Sequence, residues 1–268
     1  TPPDLPITVV DRLADGTYAL DARDVPELSD PFHASGEIAT GFRGGAFLAD
    51  LPTGSLRYRE GAPPRVRWIV SDGALVAADE DGLVMWSFFA HLAQTRRELV
   101  EQGYDLDPIF PVTFAYQPLT PIDFVGSENA AYILGSRAFV LFPDAFRGVP
   151  LAANAGVVRH EFGHAWFELL VMGASGGPWL APAESTFALR ALNEGFADIV
   201  ASLLLDDPRF IDASLSLPER DLTREWVATA ETYPSPDESL FSGYDPYVLG
   251  TAYASLVWSV REATDDRT

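Results

Sequence analysis

The amino-acid sequence predicts an α+β protein with a β-rich N-terminal lobe and a helical C-terminal lobe. Residues 1–84 hold short alternating runs separated by Gly and Pro, a pattern typical of strands joined by turns. From about residue 152 the apolar residues recur instead at helical spacing. The chain has 268 residues, 47% of them hydrophobic, which is enough for two modest lobes. We therefore expect lobes at 1–150 and 151–268, with a cleft between them.

Local patterns assign the elements of the first lobe. Residues 17–20 and 66–70 form short alternating runs, which predict two strands. Residues 85–103 contain no internal Gly or Pro, and apolar side chains recur through them at helical spacing, so this segment is predicted to be one long helix. Three further segments resemble strands, at 112–116, 129–133 and 138–142.

The second lobe is predicted to contain three helices, at 154–172, 186–205 and 246–263. Segments rich in Gly, Pro and Asp, at 173–184 and 232–245, read as the loops between them. His91 lies on the long helix of the first lobe, where we interpret it as a packed residue rather than a metal ligand.

The charge of the chain argues against two classes of partner. There are 18 basic and 39 acidic residues, which give a formal net charge of -21 at pH 7. Phosphate backbones and anionic lipid repel such a protein, so we expect no nucleic-acid partner and no membrane partner. Cysteine is absent, which leaves any bound metal to histidine and carboxylate ligands.

The sequence His160-Glu161-x-x-His164 carries the first chemical signal. Residues four apart on a helix lie one turn above each other on the same face, so the two imidazoles can point at one ion. Glu161 then projects beside them, where it can take a proton from a metal-bound water.

A second segment supplies the third ligand. Catalytic zinc sites use three protein ligands and an open position for water, and Glu194 is the carboxylate that completes the two histidines. Asp198 follows one turn later on the same face, where it can accept the remaining ring N–H of a ligating histidine. Apolar neighbours indicate that this helix is largely buried.

Together, His160-Glu161-x-x-His164 and Asn193-Glu194-Gly195-x-x-Asp198 resemble the zinc metallopeptidases of the thermolysin and fungalysin type, the gluzincins. The likeness extends over roughly residues 85–268 and is strongest at these two segments. It implies a thermolysin-like two-lobe fold with Zn2+ in the cleft, bound by His160, His164 and Glu194. Glu161 would be the general base, and Asp198 would orient a histidine ligand.

The resemblance also implies the residues that contact substrate. Asn129-Ala130 matches the family's Asn-Ala pair on the edge strand, which would hold a peptide by β-augmentation. The family has a histidine that stabilises the oxyanion, and the matching position here is Tyr247, with Tyr244 as the second candidate. A tyrosine hydroxyl can serve as such a donor.

The expected function is therefore zinc-dependent peptide-bond hydrolysis by a secreted endopeptidase. Two alternatives stay open: an aminopeptidase of the same metal class, and a catalytically silent, metallopeptidase-like interaction domain. The resemblance also implies Ca2+, for which the acidic run at residues 79–81 is a candidate although no Ca-loop motif is present. Related enzymes usually continue beyond the last helix, so we expect the helical lobe to be incomplete or completed by a second polypeptide.

Overall fold

The computed structural model describes residues 5–50, 55–120, 130–143, 148–172, 183–215, 217, 220–226 and 246–264. Within those residues the protein mixes helices with several sheets, which confirms the predicted α+β class. The strands are β1 (Ile7–Arg12), β2 (Tyr18–Arg23), β3 (Ala39–Arg43), β4 (Ala46–Asp50), β5 (Ser55–Arg59), β6 (Trp68–Ser71), β7 (Ala74–Ala77), β8 (Val112–Tyr116), β9 (Ala130–Ile133) and β10 (Ala138–Leu141). The α-helices are α1 (Glu80–Glu101), α2 (Ala155–Phe167), α3 (Ala183–Leu205) and α4 (Pro246–Thr264). No helix in the described ranges is long and apolar enough to cross a membrane.

Two four-stranded sheets and one hairpin make up the β structure of the described residues. The first sheet has the order β2-β1-β7-β6, in which only the β1–β7 pair is parallel. The second has the order β3-β8-β10-β9, in which β9 runs antiparallel to β10 at one edge. Strands β4 and β5 form the antiparallel hairpin.

Helix α1 lies between the two larger sheets. Ser87 Oγ accepts from the Val10 amide of β1 at 2.9 Å, while the Phe88 ring lies 5.3 Å from Phe114 of β8 and 5.4 Å from Phe139 of β10. Because α1 faces a sheet on each side, its apolar residues are buried on more than one face, as expected for a helix inside a core.

The start of α1 lies earlier than the predicted residue 85. Asp79 caps the helix by accepting from the Gly82 amide at 2.9 Å. Gly82 interrupts the apolar pattern, yet no larger residue fits there, because a Cβ would lie 2.7 Å from Val66 Cγ1. This tertiary contact explains why a glycine stands in the first turn of α1.

The acidic run considered for Ca2+ has other partners. Asp79 caps α1 and lies 3.2 Å from Arg67 Nη2. Asp81 is bonded at 2.6 Å both by Arg43 Nη2 and by the Tyr116 hydroxyl. Among the described residues these carboxylates do not gather into a group that could hold a metal, so Ca2+ stays a prediction of the family resemblance.

The largest apolar cluster takes side chains from both sides of residue 150. It joins Val9, Trp86 and Phe139 to Phe162 of α2 and Phe210, so α2 packs against the β-rich part of the molecule. Helices α3 and α4 follow the predicted ranges closely. The predicted helix at 154–172 is α-helical to Phe167 and continues as a π-helical turn, Glu168–Met172. The loop predicted at 232–245 lies outside the described residues, as does nearly all of 173–184.

Candidate metal centre

Asn154 fixes the N-terminus of the helix that carries the H-E-x-x-H motif. Its side-chain oxygen accepts from the Gly156 and Val157 amides, at 2.8 and 3.4 Å. The Tyr18 hydroxyl donates to the same oxygen at 2.6 Å, and Asn154 Nδ2 donates to Ser214 Oγ at 2.8 Å. Every residue of α2 is buried, so the orientation of the helix is set by its surroundings on all sides.

Three potential ligand atoms converge beside α2. The Nε2 atoms of His160 and His164 are 3.1 Å apart. Glu194 Oε2, from α3, lies 3.4 Å from the first and 3.6 Å from the second. Zinc bonds of about 2.0–2.1 Å in a tetrahedron place ligand atoms about 3.3–3.4 Å apart. The three atoms therefore match one face of such a tetrahedron, and the fourth vertex is left for water or substrate.

The state of Glu194 supports a cation at this position. Its Oε2 atom is buried and has no hydrogen-bond partner, which is costly for a carboxylate oxygen. Burial alone would raise the pKa of Glu194, but His164 and His160 outweigh it and hold the pKa below the usual value. A charged oxygen that faces two imidazole nitrogens would be satisfied by a metal ion shared with them.

Glycines let the helices approach closely enough to bring the ligands together. A Cβ on Gly163 of α2 would lie 2.6 Å from Ala197 Cα of α3. A Cβ on Gly195 of α3 would lie 2.6 Å from the Gly250 carbonyl oxygen of α4. Because Glu194 immediately precedes Gly195, backbone packing at these two crossings sets the distance from the carboxylate to the histidines.

The second nitrogen of each histidine has a polar neighbour. His164 Nδ1 lies 3.0 Å from Asn193 Oδ1, and His160 Nδ1 lies 2.9 Å from Asp198 Oδ1 in a short but poorly aligned contact. Burial lowers the pKa of His160, but the adjacent carboxylates of Asp198 and Glu194 outweigh it and raise the pKa to about 9. The negative environment therefore attracts positive charge, and the Nδ1 contacts leave both Nε2 atoms for an ion.

Arg220 is a site residue that the sequence did not reveal. Its Nη2 donates to Asp198 Oδ1 at 2.5 Å, and Thr251 Oγ1 of α4 lies 3.4 Å from Asp198 Oδ2. Burial alone would raise the pKa of Asp198, but Arg220 and His160 hold it below its usual range. No local motif marks Arg220, since it is a single arginine outside the helices.

Glu161, the expected general base, is also buried beside the histidines. Its Oε2 accepts a hydrogen bond from the Tyr132 amide of β9 at 2.6 Å. Burial raises the pKa of Glu161, and the positive charge of His164 and His160 offsets part of this rise. Tyr132 was not predicted to contribute, because its role depends on a backbone amide rather than on its side-chain type.

Of the four residues expected to contact substrate, the structure describes two. Ala130 is the first residue of β9, as predicted, whereas Asn129 and Tyr244 lie outside the described residues. Tyr247 is 42% exposed near the start of α4. Its ring lies 4.6 Å from Arg220 Cζ, which connects it to the site through the arginine that contacts Asp198.

Comparison with models of known protein families and with curated protein sequences finds no match. The site must therefore be interpreted from its geometry. Within the described residues, His160, Glu161 and His164 form a buried group that could hold a metal ion, and Glu194 Oε2 faces both histidines.

Proposed function

We propose that this protein is a zinc metallopeptidase of the gluzincin type, with a thermolysin-like two-lobe arrangement and endopeptidase activity. The observation that carries the proposal is the triangle of His160 Nε2, His164 Nε2 and Glu194 Oε2, with edges of 3.1, 3.4 and 3.6 Å. Two imidazoles and one carboxylate are the ligand set of hydrolytic zinc sites that activate water. Secretion stays a prediction of the family resemblance.

In the proposed mechanism water is activated at the ion, and side chains of the protein transfer protons and orient the ligands. Zn2+ in such a site supplies a Lewis acid and a water whose pKa is lowered toward neutrality. His160, His164 and Glu194 would hold the ion, and Glu161 would accept the proton of the attacking water and return it to the leaving amine. Asp198 and Asn193 keep the two imidazoles oriented through their Nδ1 atoms. Tyr247 and Tyr244 are the proposed oxyanion donors.

The edge of β9 supports a peptide as the substrate. Successive residues of a strand direct their backbone groups to opposite sides, so residues two apart direct them to the same side. The Tyr132 amide points away from β10 toward Glu161. The backbone groups of Ala130 therefore also point away from β10. An extended peptide that pairs with this edge lies beside the base, with Asn129 as a further proposed contact.

The decisive test replaces Glu161 with Gln and measures both hydrolysis and bound metal. We expect Glu161→Gln to lower kcat at least about 100-fold, because general base catalysis is removed, while zinc content stays near one ion per chain. The matched control is Glu80→Gln, which neutralises an exposed glutamate at the start of α1. The substrates are an unfolded protein and peptides blocked at the amino terminus, each with and without a chelator.

The possible outcomes separate the candidate functions. Cleavage of internal bonds in blocked peptides supports an endopeptidase, whereas activity confined to free amino termini indicates an aminopeptidase. Bound zinc without turnover of any substrate would favour a silent interaction domain. Wild-type turnover by Glu161→Gln, or a protein that takes up no transition metal on reconstitution, contradicts the proposed mechanism.

A further inference from the structure

The bond between Glu161 and β9 depends on a short strand. Strand β9 has four residues and pairs with β10 alone among the described strands. A short edge strand held from one side is among the least stable parts of a sheet. Its Tyr132 amide nevertheless lies 2.6 Å from Glu161 Oε2. A second contact that stabilises β9 would therefore also keep the Tyr132 amide bonded to Glu161.

Glu168 provides that restraint from the same helix face as the base. Its Oε2 accepts from the Tyr132 hydroxyl at 2.7 Å, and its Oε1 accepts from the Gly135 amide at 3.0 Å. Both carboxylate oxygens are thus bonded to the β9–β10 hairpin, one to the strand and one to its turn. Glu161, His164 and Glu168 are spaced three and four residues apart, so they follow one face of α2 and its π-helical extension.

The chemistry of the pair favours a stable bond. Burial, together with the negative charge of Glu168, raises the pKa of Tyr132, so the hydroxyl remains a proton donor at neutral pH. Hydrogen bonds from a hydroxyl to a carboxylate are stronger than those between neutral groups. The Tyr132 ring also packs 5.1 Å from Phe139 of β10, which limits its rotation.

We propose that Glu168 is a positioning residue, which acts through the Tyr132 hydroxyl and the Gly135 amide to hold the Tyr132 amide against Glu161. Tyr132 then contacts α2 at two points about 10 Å apart along the helix, given a rise of about 1.5 Å per residue. Sliding or lifting of β9 would break both contacts together. The clamp, defined as Tyr132, Gly135 and Glu168, fixes the orientation of the Glu161 carboxylate; its catalytic consequence rests on the proposed hydrolytic function.

A double-mutant cycle tests the clamp through catalysis. Tyr132→Phe removes only the hydroxyl, and we expect kcat to fall about 10-fold with KM changed less than about 2-fold. Glu168→Ala should lower kcat further because it also releases Gly135, and Glu168→Gln should lie between Glu168→Ala and wild type because it keeps an acceptor oxygen. The double variant Tyr132→Phe/Glu168→Ala should be no slower than Glu168→Ala alone, since the two side chains act as one unit.

Tyr58→Phe is the matched control. It also removes a tyrosine hydroxyl, but one that donates to the Gly44 carbonyl oxygen rather than to Glu168. An equal fall in kcat in Tyr58→Phe, additive losses in the cycle, or wild-type kcat in both single variants would overturn the proposal.

Hydrogen exchange of the Tyr132 amide separates failure of the clamp from failure of the proposed function, because it requires no turnover. We expect this amide to exchange at least about 10-fold faster in Glu168→Ala than in wild type, and at the wild-type rate in Tyr58→Phe. Unchanged exchange in Glu168→Ala contradicts the clamp even if the protein hydrolyses peptides. Faster exchange in a protein without turnover would support the clamp and reject only its catalytic consequence.

Discussion

At the candidate metal centre, three side chains that can carry alternating charges are in contact with one another. From the candidate ligand His160, the contacts pass to Asp198 and then to Arg220. Asp198 is fully buried, so removing either neighbour would leave a charge without compensation inside the protein. The three residues should therefore behave as a unit, although only the first two belong to recognisable sequence motifs.

Asp198→Asn tests this unit at the level of metal affinity. The neutral amide should lower zinc affinity about 10- to 100-fold, because partners that orient ligating histidines contribute about that much. Competition with a chelator of known affinity measures the change, and circular dichroism verifies that the variant is folded. Asp21→Asn, at an exposed position on β2, is the control. Equal affinity of Asp198→Asn and wild type would remove Asp198 from the site.

At the level of whole elements, the crossing of α2 and α3 decides whether the ligands meet. Gly163 lies between the two histidines of the candidate centre and allows the α2 backbone to lie against Ala197 of α3. Helices that cross this closely tolerate no side chain at the contact, since packed interiors have no spare volume. The distance from Glu194 to the histidines is thus a property of helix packing.

Gly163→Ala should separate the helices. Its Cβ would lie 2.6 Å from Ala197 Cα, so we expect a loss of about 1–3 kcal/mol in the free energy of unfolding. Zinc affinity should fall as well, because Glu194 moves with α3. Urea denaturation and chelator competition measure the two effects. Gly148→Ala meets no neighbouring atom and should change stability by less than about 0.5 kcal/mol; similar losses in both variants would contradict this explanation.

The contact between α1 and β1 makes stability depend on pH. His91 is buried, and its Nε2 lies 2.9 Å from the Val10 carbonyl oxygen. Burial lowers the pKa of His91 to about 4, and the Asp11 carboxylate opposes this only in part. Between this pKa and the unfolded value of about 6.5, the unfolded chain binds a proton that the folded protein rejects. Stability is therefore lost as the pH falls through this range.

His91→Gln should remove this part of the pH dependence while keeping a donor for Val10. Between about pH 7 and about pH 5 the wild type should lose roughly 2 kcal/mol more than the variant in the free energy of unfolding. Urea titrations of both metal-free proteins across this range give the difference, in which the contributions of the other histidines cancel. Parallel curves for the two proteins would contradict the assignment.

For the whole molecule, the dominant electrostatic fact is the net charge of -21. Some arginines form ion pairs with glutamates, such as the buried Arg159 with Glu98 and Arg97 with Glu27. Because the chain has 39 acidic and only 18 basic residues, most acidic residues have no basic counterpart. Mutual repulsion of the excess carboxylates opposes the compact state.

Added salt should therefore stabilise the protein. Raising NaCl from about 0.1 M to about 1 M shortens the Debye length from about 10 Å to about 3 Å. We expect a higher free energy of unfolding by urea at the higher salt concentration. Glycerol at matched viscosity serves as the uncharged control. A lower stability in salt would show that screened ion pairs contribute more than relieved repulsion.

Much of the fold could be predicted because local patterns and tertiary packing agree. Strand β8 has the predicted bounds, and the ends of α3 and α4 lie within a few residues of their own predicted ends. The apolar periodicity of these elements reflects the faces that they bury. The start of α1 was misplaced because Gly82 falls within its first turn, where close packing against Val66, a residue in a preceding loop, leaves little room for a side chain. The π-helical turn after α2 was also not predicted, because the apolar spacing there does not differ from that of an α-helix.

The sequence alone determined the candidate metal-binding group, because the spacing of His160, Glu161 and His164 acts within a single helix. It also placed Glu194 and Asp198 one turn apart on another helix. Only the tertiary structure decided that Glu194 lies beside the two histidines, that Arg220 contacts Asp198, and that the Tyr132 amide bonds Glu161 while its hydroxyl bonds Glu168. Contacts between distant segments depend on backbone position and on close packing, and neither has a local periodicity that a sequence pattern can carry.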